Sequence, residues 1–435
     1  MNKIEKIKKK EAVVGIIGMG YVGLPLVLTF TEKGFKTIGF DIDSTKIEKL
    51  KKGQSYIKHI LPERIKKARI EQRFNPTDDF SLIKECDAIL ICLPTPLDKF
   101  RNPDLSFITK SGKIISRYLK KGQIVILESS TYPGTTEEVL RPILEQGSSL
   151  TAHKDFYLAY SPEREDPNNP NYTTETIPKV VGAKGKLSRD IAVALYNEIV
   201  VKTVPVSSAE AAEATKIFEN VFRAVNIALV NELKIILDRM GIDVWEVIKA
   251  ASTKPFGFMP FWPGPGLGGH CIPIDPFYLT YKAREYELNT RFIELAGEVL
   301  NYMPYFVYDK ITHALNSVKK SVNGSRVLLI GMSYKPDVDD MRESPSLKIM
   351  EILLKNGADV DYYDPYLPVL PKTRQYNYTK ESVDISKEDL SKYDVGVVIT
   401  NHSNIDYAAL YEKLTLIVDT RNVYTEDKRE KVVRS

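Results

Sequence analysis

Short apolar runs recur along the chain, each stopped by glycine or small polar residues and followed by residues at helical spacing. The first lies in "AVVGIIGMGYVGLPLVLTFTEKGFKTIGFDID". A strand from Val13 to Ile17 enters Gly18-Met19-Gly20-Tyr21-Val22-Gly23, and a helix, Gly34 and a second strand ending in Asp41 follow. Strand, glycine turn, helix, strand is a βαβ unit. "CDAILICLPTP" and "GQIVILESSTYPGTT" read as further strands that stop at small polar residues and proline, and "DFYLAYSPERE" ends in Ser161-Pro162-Glu163-Arg164. In a parallel sheet ligands gather at the carboxyl ends of the strands, which points Thr95, Ser130 and Thr131 toward a cofactor or substrate.

The C-terminal part repeats the plan. "RVLLIGMSYKPD" is a strand and turn, "SPSLKIMEILLKNG" a helix with Leu347, Met350 and Leu354 on one stripe, and "ADVDYYDP" a strand ending in Asp364. "YDVGVVITNHS" and "LTLIVDTRN" echo the later strands of the first half. Between the halves, "SSAEAAEATKIFENVFRAVNIALVNELKIILDRMGI" carries Ile217, Val221, Ala224 and Ala228 at helical spacing and is stopped by Gly241. The pattern therefore predicts an α/β chain: two Rossmann-like, doubly wound parallel-sheet domains joined by a helical middle domain with a long central helix. The boundaries are 1–205, 206–318 and 319–435. A long helix between two domains suits a homodimer interface, or that of a higher homo-oligomer.

Composition narrows the class. A length of 435 residues fits two or three domains. The net charge of +4 is spread along the chain, which gives no nucleic-acid or membrane signal, and no apolar run reaches the ~20 residues of a membrane span. The basic start "MNKIEKIKKK" reads as a solvated leader or a first helical turn rather than a signal peptide. Three cysteines without regular spacing argue against a disulfide framework. Cys86 and Cys92 read as core residues, and the compartment as reducing, the cytoplasm. The five histidines never pair with cysteine at metal-ligand spacing, so no metal is expected.

The glycine turn carries the first chemistry. G-x-G-x-x-G between a strand and a helix, with an acidic residue about 20 positions on, is a dinucleotide fingerprint. Glycines permit a tight turn and the approach of a pyrophosphate, and the helix N-terminus offers amides and partial positive charge. Asp41 would accept hydrogen bonds from the ribose and repel a 2′-phosphate, which favours NAD over NADP. Gly18, Gly20, Tyr21, Val22, Gly23, Asp41, Thr95 and Thr131 are the candidate cofactor residues. The second half lacks this fingerprint and has Lys335 and Arg342 near its first turn, which suits a different phosphate-bearing ligand.

The third cysteine sits elsewhere. "PGPGLGGHCIPIDPFYL" places Cys271 at the end of a glycine-rich loop, a backbone that approaches something other than protein. Oxidising an alcohol to an aldehyde needs a base and a hydride acceptor. An aldehyde has no neighbouring O–H to drive hydride out. A thiolate that adds to the carbonyl solves this, and the thioester formed is cleaved by water. A free cysteine is only about 3% thiolate at neutral pH, so a cation such as Lys216 would activate it. Lys216 and Asn220 stand four apart on the long helix and share a face, where they could hold an oxyanion. A solvated lysine is the alternative. Asp275 and Glu163 are candidate bases. His270 beside the cysteine reads as a structural or substrate-contact residue, because adjacent loop residues rarely point the same way.

Taken in order, "GMGYVGLPL", "LPTPL", "STYPGTT", "SPERE", "EATKIFENVFRAVNIALVNE", "GPGLGGHCIPIDP" and "GMSYKPDVDDMRESPS" resemble the UDP-glucose/UDP-mannosamine dehydrogenase family over nearly the whole chain. The resemblance implies a four-electron oxidation of a UDP-sugar C6 hydroxymethyl to a carboxylate, with two NAD+ per sugar. It implies that Cys271 is the nucleophile, that Lys216, Asn220 and Asp275 are catalytic, and that Glu163 helps thioester hydrolysis. It places Lys335, Arg421, Arg164 and Gly268 on the substrate side and Arg342 near the cofactor phosphates. His270 and Ile272 replace the serine and phenylalanine usual around the cysteine of UDP-glucose enzymes. "GGHCIPIDPFYL" is more similar to the N-acetylhexosamine branch, which implies UDP-N-acetylglucosamine as substrate and surface-polysaccharide precursors as product. UDP-ManNAc, UDP-GalNAc and UDP-glucose are the alternatives. The chain departs from several relatives at "STKPFGF", where Lys254 is the only cation and no arginine precedes the glycine loop. A silent nucleotide-sugar sensor would not need Cys271, and a two-electron hydroxyacid dehydrogenase would need neither the cysteine nor the second Rossmann half.

Overall fold

The computed structural model describes residues 3–57, 60–98, 100–164, 172–269, 272–373, 375–424 and 430–435. His270 and Cys271 lie outside the described residues. The chain divides into two compact units, Met1–Glu219 with Phe277–Asn289, and Asn220–Pro276 with Thr290–Ser435.

The first unit holds α1 (Lys3–Lys8), β1 (Val13–Ile17), α2 (Gly23–Glu32), β2 (Lys36–Phe40), α3 (Ser44–Lys51), α4 (Pro62–Ile70), β3 (Phe74–Thr77), β4 (Ala88–Ile91), α5 (Ser106–Tyr118), β5 (Ile124–Leu127), α6 (Arg141–Ser148), β6 (Tyr157–Tyr160), β7 (Lys179–Gly182), α7 (Lys186–Asn197) and β8 (Thr203–Val206). The strands pair in the order β3-β2-β1-β4-β5-β6-β7-β8. Alternate residues serve opposite faces. Ile16, Leu90 and Ile126 pack with Leu26 of α2 and Leu195 of α7, while Ile17, Ile91 and Leu127 pack with Ile108 and Ile115 of α5. Both faces are thus covered, as a parallel sheet requires.

Two details differ from the sequence expectation. β7 runs antiparallel to β6, and β8 parallel to β7, so the sheet ends in a reversed pair. A parallel neighbour needs a crossover, usually helical. Pro162 and Pro178, the described prolines between β6 and β7, cannot donate a backbone hydrogen bond to a helix at their positions. The basic leader forms the helical turn the sequence allowed, α1, but it is not merely solvated charge. Ile7 of α1 is buried in the core, and Lys6 Nζ donates to both Asp87 carboxylate oxygens at 2.7 and 2.6 Å.

The long helix α8 (Ala209–Arg239) passes from one unit into the other, and Gly241 follows with φ 72°. Ile217, Ala224 and Ala228 are buried and Val221 is half-buried, as the stripe predicts. The second unit continues with α9 (Val244–Ala251), α10 (Asp275–Ala283), whose body belongs to the first unit, and α11 (Arg291–Ser317). A second sheet follows, with β9 (Arg326–Ile330), α12 (Pro345–Lys355), β10 (Asp359–Tyr363), β11 (Val395–Val398), α13 (Tyr407–Lys413), β12 (Ile417–Asp419) and β13 (Val432–Arg434). Its order is β10-β9-β11-β12-β13, all parallel, with α11 and α12 on one face and α13 on the other. In each sheet the strand order reverses beside the first strand, between β1 and β4 and between β9 and β11. Such a reversal opens a crevice at the carboxyl ends.

Candidate active site

The glycines after β1 have separate physical causes. Gly18 has φ 96°, and a Cβ there would collide with the Cys92 carbonyl oxygen. A Cβ at Gly23 would collide with the carbonyl oxygen of Gly18. A Cβ at Gly20 would meet nothing within 4 Å. Gly18 and Gly23 close the turn, and Gly20 leaves room beside it. Val22 heads α2 with no side-chain cap, so protein side chains do not claim the helix N-terminus there. Asp41 is buried just past β2. Its Oδ2 accepts from the Met19 amide at 2.9 Å and its Oδ1 from the Asp43 amide at 3.0 Å. A carboxylate has about four acceptor sites, so capacity remains for ribose hydroxyls. These residues fit NAD: an open step at Gly20, an uncapped helix start and a fixed carboxylate at ribose distance in sequence. Tyr21 is exposed at the lip of the turn. Thr95 is buried and donates to the Ser130 carbonyl at 2.8 Å, and Thr131 is fully buried with no partner for its hydroxyl among the described residues.

Glu163 follows β6. Its Oε1 accepts from the Arg164 amide at 2.7 Å and its Oε2 from Lys179 Nζ at 3.1 Å. Arg164 itself pairs with Glu219 at 2.6 Å and donates to the Pro178 carbonyl at 2.7 Å. Glu213 of α8 is fully buried and accepts from the Gly134 amide at 2.6 Å and from the Thr136 amide and hydroxyl at 2.9 and 2.7 Å. It anchors the helix to the segment that carries Thr131. Burial pushes its carboxyl up to about 8, against those three donors. The sequence reading missed Glu213, although a lone glutamate on the apolar side of the helix was a visible signal.

Lys216 is buried, which removes the solvated alternative. Asn220 stands one turn further along α8, also buried, and its amide donates to Asp275 Oδ2 at 2.6 Å. Asp275 is fully buried at the first position of α10, where the helix dipole favours a carboxylate.

In the second unit the glycine loop lies against the turn after β9. The Gly269 amide donates to the Arg342 carbonyl at 3.0 Å, and a Cβ at Gly268 would stand 2.7 Å from Tyr334 Cβ. Lys335, half-buried, follows Tyr334 in that turn. The Arg342 guanidinium binds Asp340 at 3.0 and 2.6 Å. Arg421, past β12, donates from Nε to the Ile399 carbonyl at 2.8 Å. Burial lowers it to about 10, opposed by Asp419. It borders a cavity of about 410 Å³ whose other walls include Trp245, Lys249, Trp262, Asn401 and Asn422. The indoles of Trp245 and Trp262 stack at 5.3 Å. Lys234 of α8, which feels the charges of Asp419 and Arg421, is buried and lowered to about 7 by its burial, with Asp419 opposing the shift. Sequence reading named Arg421 but neither tryptophan, because α9 and the glycine loop meet only in the fold. Ser333, His402 and Asp364 form a cluster that mimics a hydrolytic triad. Both Ser333 Oγ and Asp364 Oδ2 address the same ring nitrogen, Nε2, at 3.0 and 3.1 Å, and Nδ1 accepts from the Asp337 amide. One nitrogen cannot relay a proton between the two, so the cluster braces the turn.

Burial pushes the Cys86 thiol up to about 12, and raises that of Cys92, with Glu128 adding to it, well above its usual range. Neither is fit to be a thiolate. No cluster of three or more metal-ligating side chains occurs among the described residues, and no helix among them is long and apolar enough to cross a membrane.

A dinucleotide cradle in one unit, and in the other a cationic, aromatic-walled cavity beside a glycine loop, define an NAD-dependent dehydrogenase of nucleotide-bearing substrates. Residues 12–200, 210–302 and 328–426 match the NAD binding, central and UDP binding domains of the UDP-glucose/GDP-mannose dehydrogenase family. The chain is 39% identical over 373 residues to UDP-N-acetyl-D-glucosamine 6-dehydrogenase of Pseudomonas aeruginosa, covering 85% of this chain and 86% of that one. It is 36% identical over 396 residues to the enzyme of that name from Salmonella typhi, covering 90% of each. The solved UDP-D-ManNAc dehydrogenase of Pyrococcus horikoshii superposes with a TM-score of 0.86 at 30% identity, covering 95% of this chain and 96% of that one. The chain belongs to the UDP-glucose/GDP-mannose dehydrogenase family of NAD-dependent oxidoreductases.

Proposed function

We propose that the protein oxidises the C6 hydroxymethyl of UDP-N-acetylglucosamine to a carboxylate in two steps, in the cytoplasm, for surface-polysaccharide precursors. The observation that carries the reading is the buried Asn220–Asp275 hydrogen bond of 2.6 Å, one helical turn from buried Lys216 and four residues after Cys271. It supports a polar, water-poor setting in which an oxyanion could be held. NAD+, held by the Gly20 step, the head of α2 and Asp41, supplies hydride acceptance in each step. Lys216 and the second N–H of the Asn220 amide stabilise oxygen charge on the sugar carbon. Cys271 adds to the aldehyde, which gives that carbon a hydroxyl. Glu163 takes the proton of the water that cleaves the thioester. Arg421, Lys335 and the stacked tryptophans suit the nucleotide. The substrate assignment rests on the "GGHCIPIDPFYL" loop and on the names of two relatives; UDP-ManNAc, UDP-GalNAc and UDP-glucose are the competing substrates.

The test is NADH formed per UDP-sugar consumed at limiting sugar. Two NADH with UDP-GlcNAc, and a uronic acid product, are expected. One NADH would remove the thioester route. Two NADH with another sugar only would move the assignment to a sister substrate.

We further propose a homodimer through the central helices. Phe222, Leu229, Leu233 and Ile236 of α8 are exposed at steps of seven, four and three, and Met240, just past the helix end, extends the apolar stripe. Phe292, Leu295 and Tyr302 expose a second stripe on α11. Faces of this kind mark association surfaces. Light scattering is expected to give at least twice the chain mass; a monomer at micromolar concentration would remove the interface.

A further inference from the structure

Three ionisable side chains, one cationic and two acidic, share one buried position in the first unit. Lys179 opens β7, Glu128 follows β5 and Glu163 follows β6. Lys179 Nζ donates to Glu128 Oε2 at 2.6 Å and to Glu163 Oε2 at 3.1 Å. Lys179 and Glu128 are almost fully buried, and Glu163 alone keeps some solvent access, about 15% of its side chain. Tyr196 of α7 donates its hydroxyl to Glu128 Oε1, and its ring lies 5.3 Å from the Lys179 ammonium. Cys92, past β4, completes the set that faces the ammonium. Burial works against the Lys179 charge, but Glu128 and then Glu163 outweigh it and its pKa is raised. Burial raises Glu128, with Lys179 opposing.

A structural ion pair needs one carboxylate, and Glu128 supplies it. Glu163 is the surplus anion, and it sits at the carboxyl end of the sheet, where ligands gather. The antiparallel pairing of Tyr160 with Gly182, continued three residues outward, brings Glu163 opposite Lys179. The reversed strand β7 therefore delivers a cation to that edge, which a parallel strand would have delivered to the other. Both Glu163 oxygens are held, one by Lys179 and one by the Arg164 amide, which fixes the carboxylate.

We propose that Lys179 is a positioning residue for Glu163, which it keeps ionised and aimed, and that Glu128, competing for the same ammonium, sets how strongly it does so. The proposal rests on the reading of Glu163 as the base for thioester cleavage. It makes a signed prediction. Removing the cation in Lys179→Met raises the Glu163 titration by about one pH unit, and removing the competing anion in Glu128→Gln lowers it by a similar amount. Lys179→Arg keeps it near wild type. At a pH below the acid limb of kcat, turnover falls about tenfold in the first variant and rises in the second. A merely structural role would lower both alike.

The experiment pairs the pH profile of kcat with 13C NMR titration of protein labelled at the glutamate carboxyl carbon, Glu163→Gln serving to assign the signal. Opposite shifts of that signal in Lys179→Met and Glu128→Gln are expected. If Lys179→Met does not fold, the isosteric Glu128→Gln carries the test by its downward shift, with Lys179→Arg as the reference expected near wild type. An unmoved Glu163 signal in folded Glu128→Gln overturns the proposal, whatever turnover does. A signal that shifts as expected while the acid limb stays put upholds the proposal and removes Glu163 as the base.

Discussion

Cys271→Ser is expected to stop the reaction after one NADH per sugar, with the second oxidation slowed by about a thousandfold or more. The first oxidation needs a hydroxyl, a base and a hydride acceptor, and none of these is the thiol. The second begins from an aldehyde. Only a nucleophile that adds to the carbonyl creates the hydroxyl from which hydride can leave. A serine hydroxyl is far less ionised than a thiol at neutral pH, and its ester is cleaved more slowly than a thioester. Lys216, Asn220 and Asp275 remain in the variant, so aldehyde should accumulate rather than substrate. Quantifying NADH against sugar, with a carbonyl trap for the aldehyde, reads the result. Two NADH from the variant would sink the covalent route. Peptide mapping after alkylation of the folded wild type gives an independent reading. Cys86 and Cys92 are buried and their thiols are held protonated, so the label is expected on Cys271.

Much of this arrangement was legible in the sequence, for local reasons. The apolar strands Val13–Ile17, Ala88–Ile91 and Ile124–Leu127 announce themselves by composition and by the residues that stop them. The glycine turn and Asp41 follow from fixed spacing along one βαβ unit. The stripe on α8 appeared because helical period is local. What escaped is long-range. The reversal of β7 against β6 is a pairing between strands that no periodicity describes. The partners of Lys179 come from the segments after β5 and β6 and from α7, which only the sheet order brings together. Burial of Lys216 depends on what packs around α8, and a lysine four residues from an asparagine says nothing of that. Ile7 was hidden by the charges around it. The stacking of Trp245 on Trp262 joins a helix to a loop that share no sequence signal.

The glycine turn allows the demands of folding and of ligand to be separated by two substitutions three residues apart. Gly23→Ala is expected to lower unfolding free energy by about 3 kcal/mol and to abolish NAD binding. The added methyl would overlap the carbonyl oxygen of Gly18, which is backbone and cannot rotate aside. Either α2 withdraws from β1 or the turn opens. Both displace buried Leu24, Leu26 and Val27 and move the helix N-terminus from the turn. Alanine's better helix propensity, about 1 kcal/mol, is too small to offset this. Gly20→Ala should behave differently. Its methyl meets no protein atom within 4 Å, and Gly20 is not among the positive-φ glycines, so denaturant unfolding should match wild type within about 0.5 kcal/mol. NAD affinity should still fall at least about tenfold, because the methyl occupies the space left for the pyrophosphate. Denaturant titration and calorimetric NAD binding on both variants read the two effects separately. Wild-type NAD affinity in Gly20→Ala would move the pyrophosphate off this turn. Wild-type stability in Gly23→Ala would show that α2 can leave β1 without loss, and the contact between Gly18 and Gly23 would then hold no part of the fold.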